Sequence, residues 1–552
     1  MSHSFSPEGR IQALEDMAAQ KFDMLIIGGG ITGAGLARDA ALRGLKVALV
    51  EKEDFGFGTS SRSAKLVHGG LRYLAKGDIK TVRESARERK VLKTIAPHLV
   101  HPLPFVFPLY KGESKAKIKT GLLIFDKMAG ASKEERHKVL TSNEVREYAP
   151  NLRDPLKGGL VFGEYITEDA RLTLMNALSA AEHGAVVANH AEASSIRSNE
   201  NGQVIGASIR DTLIGKTFNI EAKITVNATG PWAQQTLEEN NFKATKSLLL
   251  SKGIHLIFPA EKIPITGAVS LKSSDGKEGY AIRRWDYVYM GTTDIPHEEE
   301  IDSPKADSEA IEFLLDMTRN CFPGSGISKK DILGTWAGVR PLILEEGKSA
   351  RDTSRHDEVW KTKEGLFTVA GGKLTTYRVM GKRVMNEVAK ALNLYFDEDD
   401  RTAEVVLPGG DIGEDFSSFK QEMENILSTY HIKKETAERL TWLYGSAIND
   451  LIRYGQEDPV WLERLNEHVP AIKGEVRLAV EKEMAQTLID FMDRRAALLL
   501  FGNSHSIDAA KTAAEIMAQY LGWDEAEIER QINSYTDHID RNGIISDITK
   551  SS

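Results

Sequence analysis

Residues 21–52 constrain this chain more than any other stretch. They read K-F-D-M-L-I-I-G-G-G-I-T-G-A-G-L-A-R-D-A-A-L-R-G-L-K-V-A-L-V-E-K. An apolar run over 24–27 enters a turn carrying Gly28, Gly30 and Gly33. A helix of small residues follows over 34–42, and a second apolar strand, 47–50, ends on Glu51. The G-x-G-x-x-G spacing, set between strand and helix with an acid about 20 residues on, predicts a βαβ dinucleotide-binding unit. Gly28 permits the tight turn, Gly30 lets the backbone approach a pyrophosphate, and Gly33 lets helix and strand pack closely. The helix start offers free N–H groups and partial positive charge to phosphates. Glu51 can accept from two ribose hydroxyls and would repel a 2′-phosphate, so FAD or NAD is expected rather than NADP. Gly28, Gly30, Thr32, Gly33, Glu51 and Lys52 are the candidate contacts of this unit.

A chain of 552 residues has room for two to four domains with cores of their own. Its 27% charged and 41% hydrophobic content fits a globular protein. The net charge of −9 argues against a nucleic-acid partner, and it requires any anionic substrate to be met by a local cluster of Arg and Lys. A single cysteine, Cys321, excludes an intrachain disulfide and Cys-based zinc or iron–sulfur sites; a reducing compartment fits. Residues 1–20 include Glu8, Glu15 and Asp16 without a long apolar run, unlike a signal peptide. No stretch approaches the roughly 18 apolar residues of a spanning helix.

Beyond the first unit, a Ser- and Gly-rich loop covers 56–65. A helix is predicted from the N-cap Asp78 to about Ile95, with Arg83, Glu84, Arg87, Glu88, Arg89 and Lys90 read as a solvated face. Residues 221–233 read as a buried strand ending at Ala228-Thr229-Gly230. Residues 279–294 read as a hairpin turning near Arg284–Asp286. Residues 365–379 repeat the strand–glycine–helix logic, with Gly371 and Gly372 at the turn and a helix starting near Leu374. The charged run 397–402 reads as a linker. Helical periodicity dominates beyond 415, where Gly522 closes one helix and Asp524 with Glu527 opens the next.

Several segments together resemble one family: T-S-S-R-S-A-K-L-V-H-G-G-L-R-Y-L at 59–74, A-T-G at 228–230, G-T-T-D at 291–294, W-A-G-V-R-P-L at 336–342, A-G-G-K-L-T-T-Y-R at 370–378 and D-F-M-D-R-R at 490–495. They look like the FAD-dependent glycerol-3-phosphate dehydrogenases of the D-amino-acid-oxidase-like flavoprotein superfamily. The resemblance implies an α/β fold: a Rossmann-like FAD-binding domain, a mixed or antiparallel-sheet substrate domain and a C-terminal helical domain. The expected segments are 21–95, about 160–245 and about 335–400 for FAD; about 96–160 and 246–334 for substrate; and 405–552 for the helical domain. The second glycine turn favours FAD over NAD, because its helix would point at the flavin pyrimidine ring.

The implied reaction moves hydride from C2 of sn-glycerol 3-phosphate to flavin N5 and yields dihydroxyacetone phosphate. Phosphate favours the planar fork of arginine, and the family site maps onto Arg72, Arg340, Arg351 and Lys373. His68 is the candidate base for the C2 hydroxyl, with Arg72 keeping it neutral, or else a structural hydrogen-bonding group. Tyr73 orients substrate or packs beside the isoalloxazine. Thr59, Ser60, Ser61, Ser63 and Lys65 match the segment along the FAD pyrophosphate. Ala228, Gly230, Gly372, Leu374 and Thr375 complete the cofactor set. A metal is not expected.

Residues 111–130 place Lys111, Lys115, Lys117 and Lys119 before Leu122, Leu123, Ile124 and Phe125. This pattern fits an interfacial anchor or a solvated turn before a buried segment. The resemblance favours the first, on the inner face of the cell membrane, with electrons passing to a quinone; a homodimer is compatible with it. The alternatives are a glycerol-3-phosphate oxidase that reduces O₂ to H₂O₂, a D-amino-acid-oxidase-like amine oxidase, and a non-catalytic flavoprotein.

Overall fold

The computed structural model describes residues 4–70, 78–130, 136–344, 356–396, 400–413, 415–502 and 505–541. The glycine-turn unit forms as the sequence predicts. Strand Lys21–Ile27 pairs in parallel with Val47–Val50, and the Ile31–Leu42 helix crosses between them. All four residues of Val47–Val50 are buried, which explains the absence of polar alternation there. Thr217–Asn227 flanks Lys21–Ile27 on its other side, followed by Phe367–Gly371, and Val186–Ala188 extends the far side. These five strands are parallel. Antiparallel strands Asp357–Lys361, Ala191–Ser198 and Val204–Asp211 complete an eight-stranded sheet. In such a sheet a ligand binds at the carboxyl ends of the strands. Here those ends are Gly28, Glu51, Ala228 and Gly371–Gly372.

A second, nine-stranded sheet is antiparallel except where Ala268–Lys272 runs parallel to Val100–Leu109. The predicted hairpin forms, as Glu278–Arg284 and Tyr287–Gly291. Two strands depart from the expected segment limits. Gly158–Thr167 and Gly334–Ile343 pair in this second sheet, with Val100–Leu109 and Leu248–Pro259 respectively. Arg340 therefore approaches from the second sheet, while Lys373 follows a strand of the first.

The Ile79–Ile95 helix starts where expected, with Asp78 capping Thr81 N at 3.1 Å. Its charges are not all solvated, however. Glu88 and Arg89 are buried, because Arg378 and Glu164 neutralise them. The expected linker is also packed: Asp400 and Thr402 bind Arg378, and the carbonyls of Thr402 and Val405 accept from Arg38. Residues 397–399 lie outside the described set. The last part of the chain is helical. Gly522 adopts a φ of +69° after the His505–Leu521 helix, and Asp524 caps Glu527 N at 2.8 Å.

This helical part is tied to the first sheet by buried charge. Asp54 meets Arg494 (2.6 Å) and Arg495, while Asp493 meets Arg62 (2.6 Å). Arg171 meets Glu483 at 2.6 Å. Breaking a buried pair by removing one partner costs about 3–5 kcal/mol.

Candidate active site

A cavity of about 1480 Å³ opens at the carboxyl ends of the parallel strands and runs to the second sheet. Gly28, Gly30, Thr32, Glu51, Lys52, Ala228 and Gly230 line its first-sheet end. Gly28 has a φ of +108°, and a Cβ there would lie 2.6 Å from Ala228 O. Gly33 does not line the cavity. A Cβ on it would sit 1.8 Å from Gly28 O, so this glycine serves close packing. Glu51 accepts from Gly29 N at 2.6 Å and from Glu53 N at 2.9 Å. Burial pushes its carboxyl up to about 7 despite those donors.

The hydroxyl loop differs in detail from expectation. Thr59, Ser60 and Ser63 line the cavity; Ser61 and Lys65 do not. Thr59 donates to Val339 O (2.5 Å) and Ser63 to Asp169 (2.7 Å). Ser61 faces inward, accepting from Arg62 Nη1 at 2.9 Å. Ser60 Oγ accepts from Ile31 N, 2.9 Å away, at the start of the Ile31–Leu42 helix, so its own proton can be given to a ligand. Lys65 is buried behind the loop, 2.5 Å from Asp169 and 2.9 Å from Glu168. Burial opposes its charge, but the two carboxylates outweigh that and hold its pKa above the ordinary lysine value. It anchors the loop and does not reach the cavity.

The second glycine turn closes the opposite wall. Gly371 and Gly372 have φ of +82° and +77°, and with Lys373, Leu374 and Thr375 they line the cavity. Thr375 Oγ1 is buried there with no hydrogen-bond partner among the described residues, so a ligand atom would satisfy it. Two glycine turns, a ribose-ready carboxylate and this hydroxyl together fit a dinucleotide.

At the second-sheet end, Arg340 reaches the cavity from its strand. Nη1 donates to Thr293 O and Asp294 Oδ1, both at 3.0 Å, and Nη2 donates to Thr292 Oγ1 at 2.8 Å. The G-T-T-D segment is thus the bracket that aims this guanidinium. Gly253 makes room for it, since a Cβ there would come within 2.1 Å of Nη2. His68, half-buried, lines the same cavity. Arg72, Tyr73 and Arg351 lie outside the described residues.

Other residues here were not singled out from sequence. Arg62 lines the cavity while paired to Asp493. Tyr280 also lines it, and its hydroxyl lies 3.2 Å from Nε2 of His255, whose ring stacks on Trp336 at 4.5 Å. Burial, with Arg340 and Lys65 adding, holds His255 well below the ordinary histidine value. Only tertiary pairing brings these residues to the site.

Comparison with known proteins agrees with this geometry. A family model described as FAD dependent oxidoreductase matches residues 23–385, and one described as the C-terminal domain of alpha-glycerophosphate oxidase matches 400–528. The aerobic glycerol-3-phosphate dehydrogenase of Staphylococcus saprophyticus is 38% identical, covering 95% of this chain and 96% of that protein. That of Staphylococcus aureus is 36% identical, covering 96% and 95%. The structure of the glycerol-3-phosphate dehydrogenase from Bacillus halodurans, complexed with FAD, superposes with a TM-score of 0.81 at 33% identity, covering 98% of this chain and 99% of that one. L-proline dehydrogenase from P. horikoshii, at 21% identity, shares the fold with a TM-score of 0.53 over 68% of this chain and 93% of its own. By sequence over nearly its whole length, and by a fold that builds the matching cavity, the chain belongs to the FAD-dependent glycerol-3-phosphate dehydrogenase family.

Proposed function

We propose that the protein oxidises sn-glycerol 3-phosphate to dihydroxyacetone phosphate and passes the electrons to a quinone at a membrane surface. One observation carries this reading: a single cavity joins a dinucleotide cradle, glycine turns on two walls, to Arg340, Lys373 and His68. FAD, when bound, supplies the two-electron acceptor. Arg340, held rigid by Thr292, Thr293 and Asp294, grips the substrate phosphate with its planar fork. Lys373 adds a second positive charge, and Arg72 and Arg351 join the same set on the sequence pattern. An imidazole nitrogen of His68 takes the C2 hydroxyl proton. Tyr73 orients the substrate.

The acceptor reading rests on the cavity's other arm. Phe105, Phe107, Ile118, Leu122 and Phe162 give it an apolar wall, suited to a quinone ring. Helix Lys115–Ala129 borders this arm. It buries Leu122 and Phe125 but exposes Leu123 and Ile124 beside Lys115, Lys119 and Lys127. An apolar tip ringed by lysines suits anionic lipid on the inner face of a cell membrane. Among the described residues no helix is long and apolar enough to cross a membrane.

Anaerobic titration with glycerol 3-phosphate should bleach the flavin absorbance; an unchanged spectrum would refute the substrate. Under air, rapid peroxide release without added quinone would favour the oxidase reading. Leu123→Glu with Ile124→Glu should abolish sedimentation with anionic vesicles while leaving dye-linked turnover intact. Unaltered sedimentation would remove this helix from membrane contact.

A further inference from the structure

The helical turn Asp490–Arg495, which also meets His190 through Asp490 and His538 through Asp493, grips both ends of the loop that carries the cofactor contacts. Asp54, at one end of that loop, is fully buried. It accepts from Arg494 Nε at 2.6 Å, from Arg495 Nη2 at 3.0 Å and from Asn189 Nδ2 at 2.9 Å. Arg62, at the other end, grips Asp493 with both terminal nitrogens, at 3.2 and 2.6 Å. Between these two anchors lie Phe57, Gly58, Thr59 and Ser60, all on the cavity wall. The guanidinium of Arg494 lies over the Phe57 ring, 6.0 Å from its centre. On its outer side the loop leans on the strand bearing Arg340: a Cβ on Gly338 would meet Arg62 O at 2.7 Å, and Thr59 donates to Val339 O.

We propose that the C-terminal helical domain is the positioning element of the cofactor loop, with Asp493 acting through Arg62 to fix Ser60 over the start of the Ile31–Leu42 helix. Two glycines, one threonine and two serines have little stiffness of their own. The loop needs an external frame to hold Ser60 Oγ within 2.9 Å of Ile31 N, and bidentate Arg–carboxylate pairing fixes direction as well as distance. Asp493 does not touch the cavity and takes no part in the chemistry. Its effect is on where the hydroxyl stands.

The inference rests on FAD as the ligand of this cavity, and its test separates the two. The full-length protein is stripped of flavin and titrated with FAD, following flavin fluorescence and the visible circular dichroism of the bound ring. The variants are Asp493→Asn and Arg62→Gln, singly and together. Glu475→Gln is the control, since Glu475 is equally buried and pairs with Arg439 at 2.8 Å inside the helical domain. All the single variants should melt below wild type. Asp493→Asn and Arg62→Gln should each weaken FAD about tenfold and alter the dichroism, with little further loss when combined because they break one coupling. Glu475→Gln should leave FAD affinity within about twofold. Once saturated with FAD, the Asp493→Asn protein should keep its KM for glycerol 3-phosphate.

Wild-type FAD affinity in both Asp493→Asn and Arg62→Gln would overturn the proposal. So would an equal loss in Glu475→Gln, which would make the effect one of general stability. If Asp493→Asn does not fold, Arg62→Lys decides in its place, since it keeps the positive charge on the cavity wall but loses the two-nitrogen grip on Asp493; wild-type FAD affinity there would overturn the proposal. A wild-type apoprotein that takes up no FAD would overturn the cofactor reading itself.

Discussion

Arg340→Ala tests the phosphate assignment most directly, because the structure sets its cost in two parts. A charge-assisted hydrogen bond from guanidinium to phosphate contributes about 1.5–3 kcal/mol. Asp294, 3.0 Å from Arg340 Nη1, would then lose this neutralising contact beside the proposed phosphate position. Two unit charges about 6 Å apart repel by about 3 kcal/mol at an effective dielectric of about 20, and water at the partly open mouth reduces this to roughly 1–2 kcal/mol. Together these terms give about 4 kcal/mol, or about a thousandfold in kcat/KM. Adding Asp294→Asn removes only the repulsion, so the double variant should recover about tenfold. Steady-state turnover with a dye acceptor at saturating FAD measures both effects. Glycerol lacks the phosphate, so its slow turnover should fall by no more than about tenfold. Equal losses on glycerol and on glycerol 3-phosphate, or no recovery in the double variant, would refute the argument.

Three further outcomes are expected. Burial lifts Glu51 to about 7, so below that pH FAD must displace a proton to gain two ribose hydrogen bonds; the FAD dissociation constant should rise about tenfold per pH unit below 7 and level off above it, and a flat profile would separate Glu51 from the ribose. Gly33→Ala puts a methyl group 1.8 Å from Gly28 O, which forces the Ile31–Leu42 helix off its strand; the purified protein should be colourless, and retention of flavin would show that the helix can shift at little cost. Burial holds His101 down at about 3, well under the unfolded value near 6.5, so the folded state resists a proton that the unfolded chain accepts; its stabilising effect is complete above pH 6.5 and should fade between pH 6.5 and 3 at up to about 1.4 kcal/mol per unit, and His101→Phe should flatten the melting-temperature profile over that range.

The parts of the fold written in local pattern were legible from sequence. Gly28, Gly30 and Gly33 announce a turn whose geometry depends on missing side chains. Asp78, Gly522 and Asp524 mark helix ends through hydrogen bonds only a few residues long. Arg340 and Lys373 stand in short, specific motifs, and both line the cavity. Lys65 could not be read correctly, since its partners Glu168 and Asp169 are about a hundred residues away. The same holds for Glu88 and Arg89, which look like solvent charges on a helical wheel until Arg378 and Glu164 arrive from other elements. The Gly334–Ile343 strand carries its motif plainly, but nothing in the motif says which sheet it joins; that is decided by ten residues of register against Leu248–Pro259. Sequence thus conveyed which residues were suited to chemistry, and tertiary pairing decided which of them were spent on structure.

The buried arginine–carboxylate pairs that join the C-terminal helical part to the rest of the chain limit how this protein could be rearranged by recombination. Asp54, Arg62, Arg171 and their opposite numbers must be inherited together, because a graft carrying one side alone would bury uncompensated charge. The helical segment is therefore a poor candidate for exchange with unrelated flavoproteins, and a shuffled hybrid should fold only when both halves come from parents that keep this set of partners.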